Sequence, residues 1–247
     1  MNTDIPQTPP YYPQPQSEPP LPDKLGIRLL FEALLRSPRN LIQRLAEPGH
    51  GALLPFLAIA FVSMLAFGTV LGSFAMGTQL WAAPLKLTIG LLIAGVICFP
   101  SLYIFSCLAG SQAGASQLAA SLAGMLALAG LLLLGFAPAV WIFTQATNAY
   151  GFMGFIAFLP WFIALAFGFR FLHMAVSSTG AKSVAPLFVW GWIFLVVTLQ
   201  MTTSLRPILG RSERFLTNEK MFFLQHWVKS AGESLPVADP APAPLPQ

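Results

Sequence analysis

The chain has 247 residues, of which 55% are apolar and only 9% charged, where an ordinary soluble domain carries about 25% charged residues. Thirteen Lys and Arg face nine Asp and Glu, for a net charge of +4, and the mean hydropathy is +0.69. A water-soluble fold could not cover its surface with so few charges, and a disordered chain would not be so apolar, so a soluble enzyme and a disordered polymer are excluded and membrane insertion remains.

Residues Met1 to Pro22 hold eight prolines among Gln, Ser and Tyr. That composition favours extended, solvated chain, so residues 1–23 are predicted to be a disordered tail. Lys24, Arg28, Glu32 and Arg36 then recur at four-residue spacing, with leucines, Ile27 and Phe31 around them. This is the pattern of an amphipathic helix with a wide apolar face. Ser37 followed by Pro38 marks a new helix start, and a second short helix would carry Leu41, Ile42 and Leu45 opposite Arg39 and Arg44. Residues 24–49 are therefore expected to lie in the membrane interface, parallel to its plane. Packing on a soluble partner is the other reading.

From there to Glu213 the chain has 165 residues without an acid. The only charges in that block are Lys86, Arg170, Lys182, Arg206 and Arg211. Five apolar runs fill residues 50–210: Ala52 to Phe74, Pro84 to Ala109, Ser116 to about Thr144, Gly151 to about Ala175, and Pro186 to Leu205. A helix needs about 20 residues to cross the hydrocarbon layer, so each run is long enough. The first run starts too late and is too long for a cleaved signal peptide, which makes it a retained span. Residues 211–232, with Leu216, Phe223 and Trp227 on one side, read as another interfacial helix. Residues 233–247, rich in proline, read as a second disordered tail. The predicted fold class is thus an all-α membrane protein: a bundle of five transmembrane helices with amphipathic interfacial helices before the first and after the last span.

Five spans put seven of the Lys and Arg on the N-terminal side and six on the other. Such a balance does not choose an orientation. A cytoplasmic N terminus is the working expectation, and a re-entrant third run, giving four or six spans, is the alternative. The basic residues adjoin apolar segments, where they meet anionic lipid headgroups, and they do not suggest nucleic-acid binding. The two cysteines, Cys98 and Cys107, are nine positions apart. On a helix that separation is about 13.5 Å and half a turn out of phase, so they cannot bridge.

Several residues stand out within the runs. Arg170 and His173 lie three apart on one helical face. A snorkelling Arg explains them structurally, and an anionic-lipid or substrate contact, with His as second donor, explains them functionally. Lys86 follows Trp81 and Pro84, which suits an interfacial anchor. Gly68 and Gly72 form G-x-x-x-G, and Ala115, Ala119, Ala123 and Ala127 form a small-residue stripe. Both patterns permit close backbone approach, within the chain or between copies. Pro100, Pro138 and Pro160 each remove a helix hydrogen bond, and the freed carbonyls need partners. Ser101, Tyr103, Ser106, Gln112, Gln117, Gln200, Thr202 and Thr203 are candidates for that task. A polar pocket near Tyr103 and Gln200 is a second arrangement that would use them.

No carboxylate lies at mid-membrane, no H-E-x-x-H or G-x-S-x-G occurs, and no glycine-rich loop ends in Lys-Ser or Lys-Thr. An enzyme is therefore not expected, nor a cofactor. The reading that remains is a scaffold or accessory subunit whose partners are the lipid bilayer and a membrane protein or a second copy. The alternative is a transporter or channel for a neutral or anionic solute.

Three stretches carry a resemblance: Gln79-Leu80-Trp81-Ala82-Ala83-Pro84-Leu85-Lys86; Phe99-Pro100-Ser101-Leu102-Tyr103-Ile104-Phe105 with Gly110-Ser111; and Gln200-Met201 with Leu205-Arg206-Pro207-Ile208-Leu209-Gly210. Together they resemble an uncharacterised family of bacterial multi-pass membrane proteins, which implies an inner-membrane location. More distantly, the layout is similar to the Yip (Ypt-interacting protein) family, with its polar N-terminal region and five clustered spans. The Asp-Leu-Tyr-Gly-Pro motif of that family's first span is missing, so the resemblance implies architecture and not an interaction with small GTPases. In the last stretch, Pro207 disfavours helix at Arg206 and Gly210 permits a sharp turn. That would end the fifth run at the membrane boundary and turn the chain along its surface.

Overall fold

The computed structural model describes residues 26–46, 52–75, 79–146 and 150–204. The two proline-rich tails, the expected C-terminal interfacial helix, and Arg206, Pro207 and Gly210 lie outside the described residues. Within them all regular structure is helical, with no strand, in seven helices: α1 (Ile27–Arg36), α2 (Pro38–Ala46), α3 (Leu53–Ala75), α4 (Gln79–Leu108), α5 (Ala115–Ala146), α6 (Tyr150–Ser178) and α7 (Ala185–Ser204).

Each of the five apolar runs is one helix. Four of them, α3 to α6, are long and apolar enough to cross a membrane by length and composition. The fifth, α7, 20 residues long, is a shorter apolar helix and is not one of these four, so the structure gives four candidate spans where five were expected. One boundary moves. The second run was expected to open at Pro84, yet α4 begins at Gln79 and carries both Pro84 and Pro100 inside it. Pro84 is the sixth residue of α4, past its first turn, so it removes the bond to the Leu80 carbonyl, yet the helix continues through it. Pro84 therefore marks the neighbourhood of a start rather than the start itself.

α5 is the axis of the bundle. Every residue from 120 to 131 is buried, and α5 packs chiefly on α3 and α6. Its small residues serve that role within the chain. Gly124 faces the Phe171 and Phe56 rings, and Gly130 faces Ala60, Ser63 and Met64. α3 packs on α4 at Gly68, where an added Cβ would overlap the Pro84 backbone. α4 in turn holds α7.

The two amphipathic helices close one end of this bundle. Leu30, Leu34, Leu41, Ile42 and Leu45 are buried in the same apolar cluster as Phe56, Ala109, Leu118 and Val176. They therefore pack on the spans and do not merely lie on a lipid surface. The charged stripe stays outside, with a Glu32–Arg36 ion pair at 3.1 Å, an exposed contact that contributes little. Ile27, Phe31 and Leu35 are also exposed. At 100° per residue they form a third face between the buried one and the charged one. A helix with a protein-facing, an apolar and a charged side suits the boundary between bundle, lipid and water.

At the same end, the α4–α5 and α6–α7 loops are joined. The N–H of Lys182 donates to the Ala109 carbonyl at 2.8 Å, and that of Gln112 to the Thr179 carbonyl at 2.9 Å. The Ser111 and Thr179 hydroxyls share a hydrogen bond of 2.6 Å. Each loop turns on a glycine with positive φ, Gly110 at 87° and Gly180 at 96°. At Gly110 the bonds from Gly110 to Cys107 and from Ser111 to Ser106 complete a Schellman cap. The space around Gly110 would admit a methyl group, so the cost of Gly110→Ala is backbone strain alone. A loss of about 1–2 kcal/mol is expected, read as a lower unfolding midpoint in detergent. No loss would show that the loop relaxes out of the left-handed conformation.

Candidate functional site

The residues singled out in the sequence do not converge on one place. Tyr103, 41% exposed, lies near the closed end of α4. Gln200 lies near the far end of α7. The contact between Trp190 and Cys98 sets the antiparallel register of these helices and puts Tyr103 level with about residue 185. The fifteen residues from there to Gln200 span about 22 Å, so the two do not form a shared pocket.

Beside Pro100, α4 and α7 are joined by side-chain hydrogen bonds. Trp190 Nε1 reaches across from α7 and donates to the Cys98 carbonyl at 3.1 Å and to Ser101 Oγ at 3.2 Å. Ser101 Oγ itself donates to the Cys98 carbonyl at 2.8 Å. These bonds fall on the Cys98 carbonyl and not on that of Val96, which Pro100 frees; they tie α7 to α4 through Trp190, which was not among the expected residues. Its signal was a Trp inside an apolar run, away from the belt positions where membrane tryptophans concentrate.

Lys86, expected at the start of the second span, lies seven residues into α4, about 10 Å from its start. It does not point outward, however: it is only 2% exposed. Pro100 and Pro138 are exposed, Pro160 is buried, Gly68 and Gly72 are buried, Ala123 is buried, and Ala119 is partly so. Cys98 and Cys107 are both free, as their spacing requires. Among the described residues no three His, Cys, Asp or Glu side chains gather as metal ligands.

Arg170 and His173 are brought together. They line a cavity of about 380 Å³ between α6 and α7, within the usual range of about 300–1,000 Å³ for ligand pockets. All its other lining residues are apolar, among them Leu172, Leu187, Trp192 and Leu195. The inner wall is an aromatic cluster. Phe169 stands edge-on to Trp190, with centroids 6.2 Å apart, and edge-on to Phe194 at 5.8 Å. Gly191 leaves the gap that a side chain would fill; a Cβ there would sit 3.7 Å from the Phe169 ring. α6 and α7 meet mainly through these rings, so the cleft beside them stays open.

Arg170 is exposed and His173 half-buried. The Nε2 of His173 is buried and has no hydrogen-bond partner among the described residues. That nitrogen is closed to the cleft, so the site offers the Arg170 guanidinium on an otherwise apolar wall. It can hold an anion attached to an apolar body. No family model matches this chain, and no curated protein or solved structure matches it.

Proposed function

We propose that this protein is a non-enzymatic integral membrane protein of the bacterial inner membrane, with α7 as a fifth span and a cytoplasmic N terminus. In this reading it acts as a scaffold or accessory subunit that recruits or stabilises a membrane partner or a second copy. The observation that carries it is the one-sidedness of α7. This helix packs chiefly on α4, with Trp190, Phe194 and Thr198 turned inward. Phe188, Val189, Trp192, Ile193 and Val196 are left on the outer side, Trp192 at 56% exposure. An edge helix with large rings on its open side is suited to pack against another span. Van der Waals packing drives helix association in lipid, and Trp supplies much of the contact energy at interfaces. The layout resemblance to Yip proteins is consistent with the same architecture.

A photo-crosslinker at Val189 or Val196, both outside the cleft, is expected to give one discrete protein adduct in intact membranes, whereas one at Val96, on the outer side of α4, is not. Adducts to lipid alone at both positions of α7 would remove the scaffold reading. Cysteine-accessibility mapping of the tails and loops in intact cells fixes span count and orientation. The cleft beside Arg170 and His173 supports the second reading, a transporter or channel for a neutral or anionic solute. That reading requires solute flux in proteoliposomes that is lost in Arg170→Ala.

A further inference from the structure

The cleft between α6 and α7 has a depth as well as a chemistry. α6 has 29 residues and is about 43 Å long, whereas the hydrocarbon layer is about 30 Å thick. Centred on that layer, the helix extends roughly 6–7 Å beyond it at each end. His173 lies five residues before the end of α6 and Arg170 eight residues before it, at about 7.5 and 12 Å. The imidazole is thus level with the hydrocarbon boundary, and the guanidinium starts one turn deeper with a stem long enough to reach the same level. This is where lipid phosphates meet acyl chains.

The walls continue inward from that level. The α7 lining runs from Val184 to Leu195, about 16 Å along the helix axis. Trp192 and Leu195 lie on the deeper part, and no acid occurs anywhere between Glu47 and Glu213. The guanidinium of Arg170 and the apolar slot beneath it are complementary to one kind of molecule: an acyl lipid with an anionic phosphate head. We propose that the α6–α7 cleft is a binding site for an anionic phospholipid of the bilayer. Arg170 holds the phosphate, the His173 ring forms part of the wall beside it, and the slot along Gly191, Trp192 and Leu195 takes the upper part of one acyl chain. The site depends on α6 spanning the membrane and is independent of the scaffold role.

The test is native mass spectrometry of the full chain released from nanodiscs of equimolar phosphatidylglycerol and phosphatidylcholine. The wild type is expected to retain one phosphatidylglycerol at least five-fold over phosphatidylcholine. Arg170→Ala should abolish that preference, and Arg170→Lys should keep most of it. Gly191→Leu, which puts a side chain into the slot, should lower retention of both lipids. Gly135→Ala is the folding control, because it lies on α5 outside the cleft and its Cβ would meet nothing within 4 Å; it should bind as the wild type does. Should Arg170→Ala not fold, Arg170→Lys and Gly191→Leu still decide the matter. Equal retention of the two lipids overturns the proposal. So does a preference that survives both Arg170→Ala and Gly191→Leu, or one displaced by millimolar inorganic phosphate. A photo-crosslinker at Leu187 that captures a polypeptide in place of lipid overturns it as well.

Discussion

Gly68→Ala is expected to destabilise the bundle more than a methyl added at Gly95, Gly124, Gly130, Gly135, Gly168 or Gly191. Its Cβ would overlap the Cα of Pro84 and come within 3.0 Å of the Pro84 Cβ. Neither atom can rotate away, because one is backbone and the other belongs to a ring fixed to it. The helices α3 and α4 must therefore separate, and the packing along their contact loosens with them. Overpacking typically costs about 1–3 kcal/mol, and this case belongs at the upper end or beyond. The other glycines grade the effect. At Gly124 a Cβ would meet the Phe171 ring at 2.7 Å; that ring is fully buried but is at least a side chain. At Gly130 the closest approaches are 3.3 Å, and at Gly135 nothing lies within 4 Å. Alanine at Gly135 should be neutral or stabilising by up to about 1 kcal/mol, from helix propensity. Unfolding in mixed micelles should therefore rank the variants Gly68, Gly124, Gly130, Gly135 from least to most stable. A Gly68→Ala protein as stable as the wild type would show that α3 and α4 do not cross as closely as described.

Trp190→Ala is expected to free α7. The indole is 1% exposed and touches three elements at once: the Cys98 carbonyl on α4, Phe169 on α6, and Phe194 on its own helix at 5.3 Å. Removing a buried ring of this size costs about 3–5 kcal/mol. The loss falls on α7 in particular, because α4 is its main support. Trp190→Phe separates the two contributions. It keeps most of the ring contact and removes the N–H donor, which in a membrane bundle is worth about 0.6 kcal/mol on average. Limited proteolysis in detergent should cut α7 readily in the alanine variant and hardly at all in the phenylalanine one. Equal susceptibility of the two would place the stability in the hydrogen bond rather than in packing.

These two sites differ in how far the sequence announces them. A G-x-x-x-G pair points to close helix approach, so Gly68 was visible as a contact residue, but its partner Pro84 was not. The reason is physical. A helix that is apolar all round carries no phase information, because lipid and protein interior accept the same side chains. Val96, Ile97 and Cys98 are all apolar, yet the first two are exposed and the third is buried. Nothing in their chemistry orders them. The same degeneracy concealed the inward turn of Lys86 and the role of Trp190. α1 is the contrast. Its charges fix its rotation, and Arg28, Glu32 and Arg36 are indeed exposed while Leu30, Ala33 and Leu34 are buried. Arg170 and His173 were legible as a pair because three-residue spacing on a helix sets a common face. The cavity they share was not, since α7 forms its other wall.

The joined loops have a mechanical consequence. With Ala109 bonded to Lys182 and Thr179 bonded to Gln112, the hairpins α4–α5 and α6–α7 are stitched at one end by main-chain groups that neither side chain chemistry nor lipid composition can replace. Any relative displacement of these hairpins must then resemble a pair of tongs, with its fulcrum at the Gly110 and Gly180 turns and its widest travel at the opposite membrane face. The mouth of the α6–α7 cleft lies close to that fulcrum, so its shape should change least while the far side of the bundle breathes.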